Sequence, residues 1–549
     1  MVEALRESPS IAAASSYAAM LRASAARTPD GIAVVVDGEA KTYRQLLAAA
    51  TVRARELKAL RLAKGDAIGL LLPNSFEFIE LLLGAALIGV VVVPINTRFR
   101  AIEVAHIIDD ARLKVVFTTD RIDSHVNFKE LLYAALPSLA VATDPWALTI
   151  PNFPSLSAVV HIGTSAPSCM IDHLTLVAAA EPITAPDPAE EPASEDIQLV
   201  MYTSGTTAKP KGCLMPNRCL VVTAALVVEL FRLDGSDGWW CPLPMFHVGG
   251  LLFMTVSLTA GAKFIGMGRF DTDVAFEQFD RERPTVLYPL FPTIALQIVD
   301  HPRFATTSFD AVKYVIDVGP PEIQLRLQNA FPKALLLSAF GMTETTGIVT
   351  FNWVSDTLEE RTTTVGHLLP GWSAMIVDPT TRKEVAAGQS GEIAVLGPGL
   401  FAGYLNNPQL TAQSFNERGY FHTGDCGALQ EGGLLRYLGR LKDQLKVGGE
   451  NVSALEVESF LATHPAVKLA QVVGIPDERY GEVPVAYIEL AAGAEMTEQD
   501  VFSHCQGQIA RFKIPRHVRF VAAWPMSATK IEKYKLRQSI IDELGLSPG

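Results

Sequence analysis

Tyr202-Thr203-Ser204-Gly205-Thr206-Thr207-Ala208-Lys209-Pro210-Lys211-Gly212 is the stretch on which the reading of this 549-residue chain turns. Residues 198–202 predict a strand that runs straight into it, so hydroxyls, small residues and two lysines leave a strand together. Glycine lets backbone N–H groups approach an anion closely, hydroxyls add donors and lysines supply charge. The composition therefore points to phosphate. It is not a Walker loop, because Pro210 stands where the second glycine is needed and Gly212 where Ser or Thr is needed.

Working outward, helical patterns alternate with short β-branched runs. Residues 33–36, 67–72 and 115–118 read as strands and residues 43–60 as a helix. The most apolar run, 81–95, is too short to span a bilayer. It divides into a helix capped by Asn74 or Ser75 and ended near Gly89, then a strand over 90–93 closed by Pro94. Residues 181–196 are rich in Pro, Ala and Glu and read as an exposed loop. After Arg440 the texture changes: helices over 453–463 and 497–511, strands over 468–474, 485–490 and 518–522. The expected fold is α/β: a large N-terminal domain of layered sheets and helices (1–440), then a small α+β C-terminal domain (441–549).

The formal net charge is −13. Such a chain has no overall attraction for nucleic acid or anionic membrane, so phosphate binding requires a local basic cluster. Six scattered cysteines form no C-x-x-C pair and fit a reducing compartment, and the N-terminus lacks a signal-peptide pattern. A cytoplasmic protein with no integral membrane segment is expected.

The 202–212 segment resembles the phosphate loop of the acyl-adenylating (AMP-forming) superfamily, and further motifs of that family recur in order. Pro244-Met245-Phe246-His247 is similar to its aromatic gate motif, which implies His247 near the acyl carboxylate and the thiol tunnel. Ser338-Ala339-Phe340-Gly341-Met342-Thr343-Glu344-Thr345 resembles the adenine and magnesium motif. It implies Phe340 against the purine, Thr343 on the α-phosphate and Glu344 on Mg²⁺. Val315-Ile316-Asp317-Val318-Gly319-Pro320-Pro321 occupies the place of the adenine loop and keeps only Gly319 of its glycines. Tyr420-Phe421-His422-Thr423-Gly424-Asp425 resembles the ribose motif, with Asp425 accepting from both hydroxyls. Gly391-Glu392-Ile393, Gly403-Tyr404 and Asn407-Pro408 match a motif to which no chemistry is assigned.

Gly439-Arg440-Leu441-Lys442-Asp443 resembles the interdomain hinge, which implies a mobile C-terminal domain, Arg440 on ribose or phosphate, and Lys442 at the turning point. Lys446-Val447-Gly448-Gly449-Glu450 is most like acyl-CoA ligases. Met526-Ser527-Ala528-Thr529-Lys530-Ile531-Glu532-Lys533-Tyr534-Lys535 resembles the catalytic-lysine loop, one residue short. The register of the residues that follow assigns the role to Lys530, with Lys533 as runner-up.

The resemblance implies ATP, Mg²⁺ and coenzyme A as cofactors and co-substrates, a small carboxylic acid as substrate, and a homodimer at the level of the family. Thr203, Ser204, Gly205, Thr206, Thr207 and Lys211 would hold phosphates. Cations at 209, 211, 440, 442, 446, 530, 533 and 535 all lie in or beside these segments. The implied reaction joins the acid to AMP and passes the acyl group to coenzyme A. Two alternatives stand beside it: a stand-alone enzyme loading a carrier-protein thiol, and a non-catalytic nucleotide- or acyl-binding protein. The acyl pocket is expected between the gate motif, residues 288–293 and residues 317–321, with Phe246, Tyr288 and Phe291 favouring an apolar or aryl acid.

Overall fold

The computed structural model describes residues 16–122, 124–187, 191–203, 209–447, 450–527 and 530–546. Two large sheets dominate. The first has eight strands, of which Ile197–Thr203, Val91–Pro94, Ala67–Leu71, Val115–Thr118, Ala158–His161 and Ile171–Asp172 run parallel. Lys211–Pro216 and Gly403–Tyr404 then add antiparallel at one edge. The second sheet has seven strands, parallel from Leu335–Leu337 through Tyr314–Asp317, Val286–Leu290, Gly238–Trp240 and Lys263–Gly266 to Ile32–Val36, with Glu39–Thr42 antiparallel at its edge.

One continuous core joins the two sheets through helices Tyr17–Arg27, Phe76–Ala86, Asn217–Phe231 and Val248–Ala260. Phe76–Ala86 is apolar almost all round, as a helix covered on every side must be. Its first turn is closed by Ser75, whose hydroxyl accepts from the Phe78 N–H. Gly89 follows at φ +73, and the strand after it includes Pro94 rather than stopping before it. Helix Tyr43–Ala59 begins at a Thr42 capping box.

A four-stranded antiparallel sheet, Ser373–Val377, Gly391–Leu396, Phe421–Leu429 and Leu435–Arg440, leads to the C-terminal unit. That unit has five strands: Glu450–Ser453, Gln444–Val447, Gly481–Leu490, Val467–Asp477 and His517–Phe520. It carries two apolar clusters of its own, centred on Val452, Val472 and Ala486 on one face and on Val485, Leu536 and Ile540 on the other. The fold is the expected α/β arrangement with a smaller α+β part.

Three local expectations are corrected. The helix expected over 497–511 covers only Glu498–Cys505; Gln506 is already extended and Gly507 turns left-handed at φ +75. The strands expected at 468–474 and 485–490 are longer, Val467–Asp477 and Gly481–Leu490, because each satisfies the other's backbone along a continuous ladder. The segment identified by resemblance as the catalytic-lysine loop turns helical at Lys533: Lys533–Leu544 is a helix that buries Leu536, Ile540 and Ile541.

Candidate active site

Candidate residues stand at or just after C-terminal strand ends in both large sheets, the kind of position where α/β sheets bind ligands: Thr203 ends Ile197–Thr203, Phe291 follows Val286–Leu290 and Gly319 follows Tyr314–Asp317. Thr203 and Lys211 are ladder partners at the root of a hairpin, not residues of one open loop. Lys211 Nζ lies 5.9 Å from the Tyr404 ring centre. The expectations for Ser204, Gly205, Thr206 and Thr207, and for Gly448 and Gly449, fall outside the described residues.

Glu344 sits in a single 3₁₀ turn, Thr343–Thr345, beside half-buried Thr343. The approach to that turn needs Gly341, since a Cβ there would stand 2.1 Å from the Gly347 carbonyl oxygen. The Glu344 carboxylate is buried, and Tyr404 O–H donates to its Oε1 at 2.9 Å. Tyr404 belongs to a segment to which the sequence reading gave no chemistry. Its sequence signal was only an aromatic hydroxyl beside a glycine; in the structure that glycine stands at φ +139. Phe340 is buried, its ring 5.7 Å from that of Tyr437.

Asp425 and Arg440 face each other across an antiparallel pair, with Nε 2.9 Å from Oδ1. Only 2% of the Asp425 surface is exposed. Burial pushes its carboxyl up to about 6, against the pull of the Arg440 and Lys530 charges, and the Glu344 charge adds to the rise. Glu392 also acts here, although no chemistry was assigned to it. Its buried carboxylate accepts from the Gly424 N–H at 3.1 Å and contacts His422 at 3.0 Å, holding the register-shifted part of strand Phe421–Leu429 that carries Asp425.

Lys530 comes from the C-terminal unit. Its surface is accessible, yet that surface lies among protein groups, and desolvation first, then the Arg440 charge, hold its pKa below the ordinary lysine value; Asp425 and Glu344 oppose this. Its Nζ stands 5.6 Å from the Phe291 ring centre. His247 precedes helix Val248–Ala260, its ring 4.8 Å from Phe246. Burial, with Lys530 and Arg98 adding to it, takes His247 down to about 4, so the imidazole is neutral at physiological pH. Gly319 lies against Pro292: a Cβ there would be 2.7 Å from Pro292 Cγ. Pro292 follows Phe291, so the Gly319 segment adjoins the wall beneath Lys530.

The cations do not all converge. Lys533 Nζ is 2.5 Å from the buried Glu458 carboxylate, and Lys535 is 2.5 Å from Glu532, so both are paired within the C-terminal unit. Lys442, in the short 3₁₀ turn Leu441–Asp443, and Lys446 are exposed. Tyr288, expected in the acyl pocket, is 1% exposed and packs on Phe253 at 4.0 Å; it is a core residue. Phe291 and Phe246 remain at the cleft. The described residues hold no cluster of three or more metal-binding side chains, and no helix among them is long and apolar enough to cross a membrane.

This arrangement brings the Lys530 ammonium within electrostatic reach of the Arg440–Asp425 pair, the Glu344 carboxylate and the neutral His247 imidazole. It is suited to gathering anions. Comparison with known proteins agrees in extent. The AMP-binding enzyme family matches residues 21–405, and its C-terminal domain matches residues 456–530. The chain is 32% identical to YngI of Bacillus subtilis, over 92% of this chain and 93% of that protein. It is 30% identical to the mitochondrial medium-chain acyl-CoA ligase ACSF2 of Bos taurus, over 96% and 88%. Among solved structures, ATP-bound MatB from Rhodopseudomonas palustris superposes with a TM-score of 0.82 at 28% identity, covering 96% of this chain and 99% of that one. The anthranilate CoA ligase AuaEII in complex with anthranoyl-AMP gives 0.84 at 25% identity, covering 97% and 98%.

Proposed function

The chain belongs to the AMP-binding enzyme family, and from that premise we propose that it is an AMP-forming carboxylic acid–CoA ligase. The observation that supports this reading is that Lys530, with its Nζ 5.6 Å from the Phe291 ring, lies within electrostatic reach of the Arg440–Asp425 pair and of Glu344. A carboxylate and the α-phosphate of ATP repel each other. An ammonium in a low-dielectric site, already oriented, offsets that repulsion more strongly than one in water.

In the first half-reaction a carboxylate oxygen attacks the α-phosphorus, the bond to the bridging oxygen breaks, and pyrophosphate leaves. Lys530 stabilises the developing charge and Thr343 donates to the α-phosphate. Thr203, Ser204, Gly205, Thr206, Thr207 and Lys211 hold the remaining phosphates. Phe340 and the Gly319 segment receive the adenine, and Asp425, held by Arg440, accepts from the ribose hydroxyls. Positioning contributes as much as charge, because no protein nucleophile is needed. Glu344 suits Mg²⁺: it offers one buried carboxylate, and a hard octahedral cation takes its other ligands from phosphate and water. Bound there, the ion would neutralise phosphate charge.

In the second half-reaction the thiol sulfur attacks the acyl carbonyl, its proton is released, and AMP departs. His247, neutral beside Phe246, lines the approach. Lys530 must first withdraw, which we assign to rotation about Lys442 at a boundary between residues 440 and 441, with Gly448 and Gly449 on the moving side. The substrate is a carboxylic acid, and Phe246 and Phe291 favour an apolar or aryl one. Six free, buried cysteines support a reducing, cytoplasmic setting. A homodimer is proposed on the family resemblance and is read by light scattering.

The test is ATP–pyrophosphate exchange dependent on an added acid, run over a panel of acids, followed by thioester formation with free coenzyme A or a carrier protein as acceptor. Lys530→Ala should lose exchange and keep thioester formation from preformed acyl-AMP, and Lys442→Pro should do the reverse. No exchange with any acid, or equal loss of both steps in both variants, refutes the assignment.

A further inference from the structure

The backbone of the loop that carries Lys530 is hydrogen-bonded to a side chain of the large domain. Three hydrogen bonds join Ser527 and Lys530: the Ser527 N–H donates to the Lys530 carbonyl at 2.8 Å, its hydroxyl donates to the same oxygen at 3.0 Å, and the Lys530 N–H donates to Ser527 Oγ at 3.3 Å. Outside these, Glu532 N–H donates to the Pro525 carbonyl at 2.8 Å, and Met526 and Ile531 bridge. The backbone of Lys530 is thus fixed to Ser527. The Ser527 carbonyl in turn accepts from Arg98 Nη1, across 429 residues of sequence.

Arg98 is itself well anchored. It follows the central strand Val91–Pro94 of the eight-stranded sheet, and its own N–H donates to Asn96 Oδ1 at 3.0 Å while Phe99 N–H closes the turn on the Asn96 carbonyl at 3.0 Å. Its guanidinium also lies within electrostatic reach of His247, Arg269 and Glu532. Desolvation first, then the neighbouring Arg269 charge, lowers its pKa, and the Glu532 carboxylate, which belongs to the lysine loop, opposes this.

We propose that Arg98 is a positioning residue for the first half-reaction, a latch from the large domain that grips the Ser527 carbonyl and so sets where the Lys530 ammonium stands. The proposal rests on the assignment of Lys530 to adenylation. It explains why the contact is made to a backbone carbonyl: the latch fixes the loop's place without competing for the ammonium. In the structure the contact accompanies the placement of Lys530 Nζ 5.6 Å from the Phe291 ring, and the proposal confines it to that arrangement. Breaking it removes a guide for adenylation and nothing from thioester formation.

The experiment measures both half-reactions separately in Arg98→Ala, Arg98→Lys and Lys530→Ala, with thermal melts as a fold control. Arg98 is exposed, so the effect sits at the low end for a charged hydrogen bond, roughly tenfold. Arg98→Ala should slow acid-dependent pyrophosphate exchange about tenfold in kcat while thioester formation from preformed acyl-AMP stays within about twofold, and Arg98→Lys should recover part of the loss. A purely structural role would lower both steps together, and that result overturns the proposal. So does unchanged exchange in Arg98→Ala when Lys530→Ala has lost it. If Lys530→Ala keeps full exchange, the reading of Lys530 fails first and takes the latch with it.

Discussion

Asp425→Asn probes the proposed nucleotide site through its pH dependence. The wild-type carboxyl is pushed up to about 6, with burial as the largest cause. At that value it is about 90% ionised at pH 7 and about 10% at pH 5. The ionised form alone can accept from two ribose hydroxyls while pairing with Arg440, whose Nε is 2.9 Å away. The kcat/KM for ATP in pyrophosphate exchange, which reports free-enzyme groups, should therefore fall roughly tenfold between pH 7 and pH 5. Asparagine removes the charge and keeps the shape. At pH 7 it should cost about 10- to 100-fold, the worth of a charged hydrogen bond, and its profile between pH 5 and 7 should lose the limb. The variant carries every other titration in the assay, including those of ATP and the acid, so the difference between the two profiles isolates Asp425. A wild-type profile that is flat to pH 5, or a limb of equal depth in Asp425→Asn, would refute the reasoning.

Other predictions concern groups the same structure sets apart. Asp317 is fully buried, accepts from Gln324 Nε2 at 3.1 Å, and is pushed up to about 8 by burial. Its native state holds a proton that the unfolded chain has released. Stability should therefore fall as pH rises from about 4 to 8, by on the order of 1 kcal/mol per pH unit from this group. Asp317→Asn should remove that slope, and urea melts at pH 6, 7 and 8 that stay parallel to wild type would contradict it. Lys533→Ala leaves the Glu458 carboxylate buried without its cation. It should destabilise the C-terminal unit by about 3 kcal/mol and lower both half-reactions alike, unlike Lys530→Ala; selective loss of exchange would instead make Lys533 the adenylation lysine. Tyr404→Phe removes the donor to Glu344 Oε1 and should cost about 1–3 kcal/mol, read as a raised Mg²⁺ requirement in exchange. An unchanged requirement would detach Tyr404 from the metal site.

Much of the architecture could be read locally. Strand Val115–Thr118, helix Tyr43–Ala59 and the Ser453 cap follow from apolar period and capping chemistry, which act over a few residues. Segments whose ends are fixed by partners could not be read that way. The ladder of Val467–Asp477 with Gly481–Leu490 outruns its β-branched centre because backbone groups there had a mate. Helix Lys533–Leu544 hid behind a basic run because only packing tells a covered face from a wet one.

The candidate site divides in the same way. Ordered motifs single out Lys530, Asp425, Glu344 and His247 as candidates one by one, each from residue types within its own short segment. Distance in space is not written in such segments. That Lys533 is spent on Glu458, that Tyr288 belongs to the core, that Tyr404 touches Glu344 and that Arg98 holds the loop of Lys530 are facts of chain crossing. The physical reason is range: propensity and capping are decided among neighbours in sequence, whereas desolvation and charge pairing depend on every group the fold brings near, however far along the chain it began.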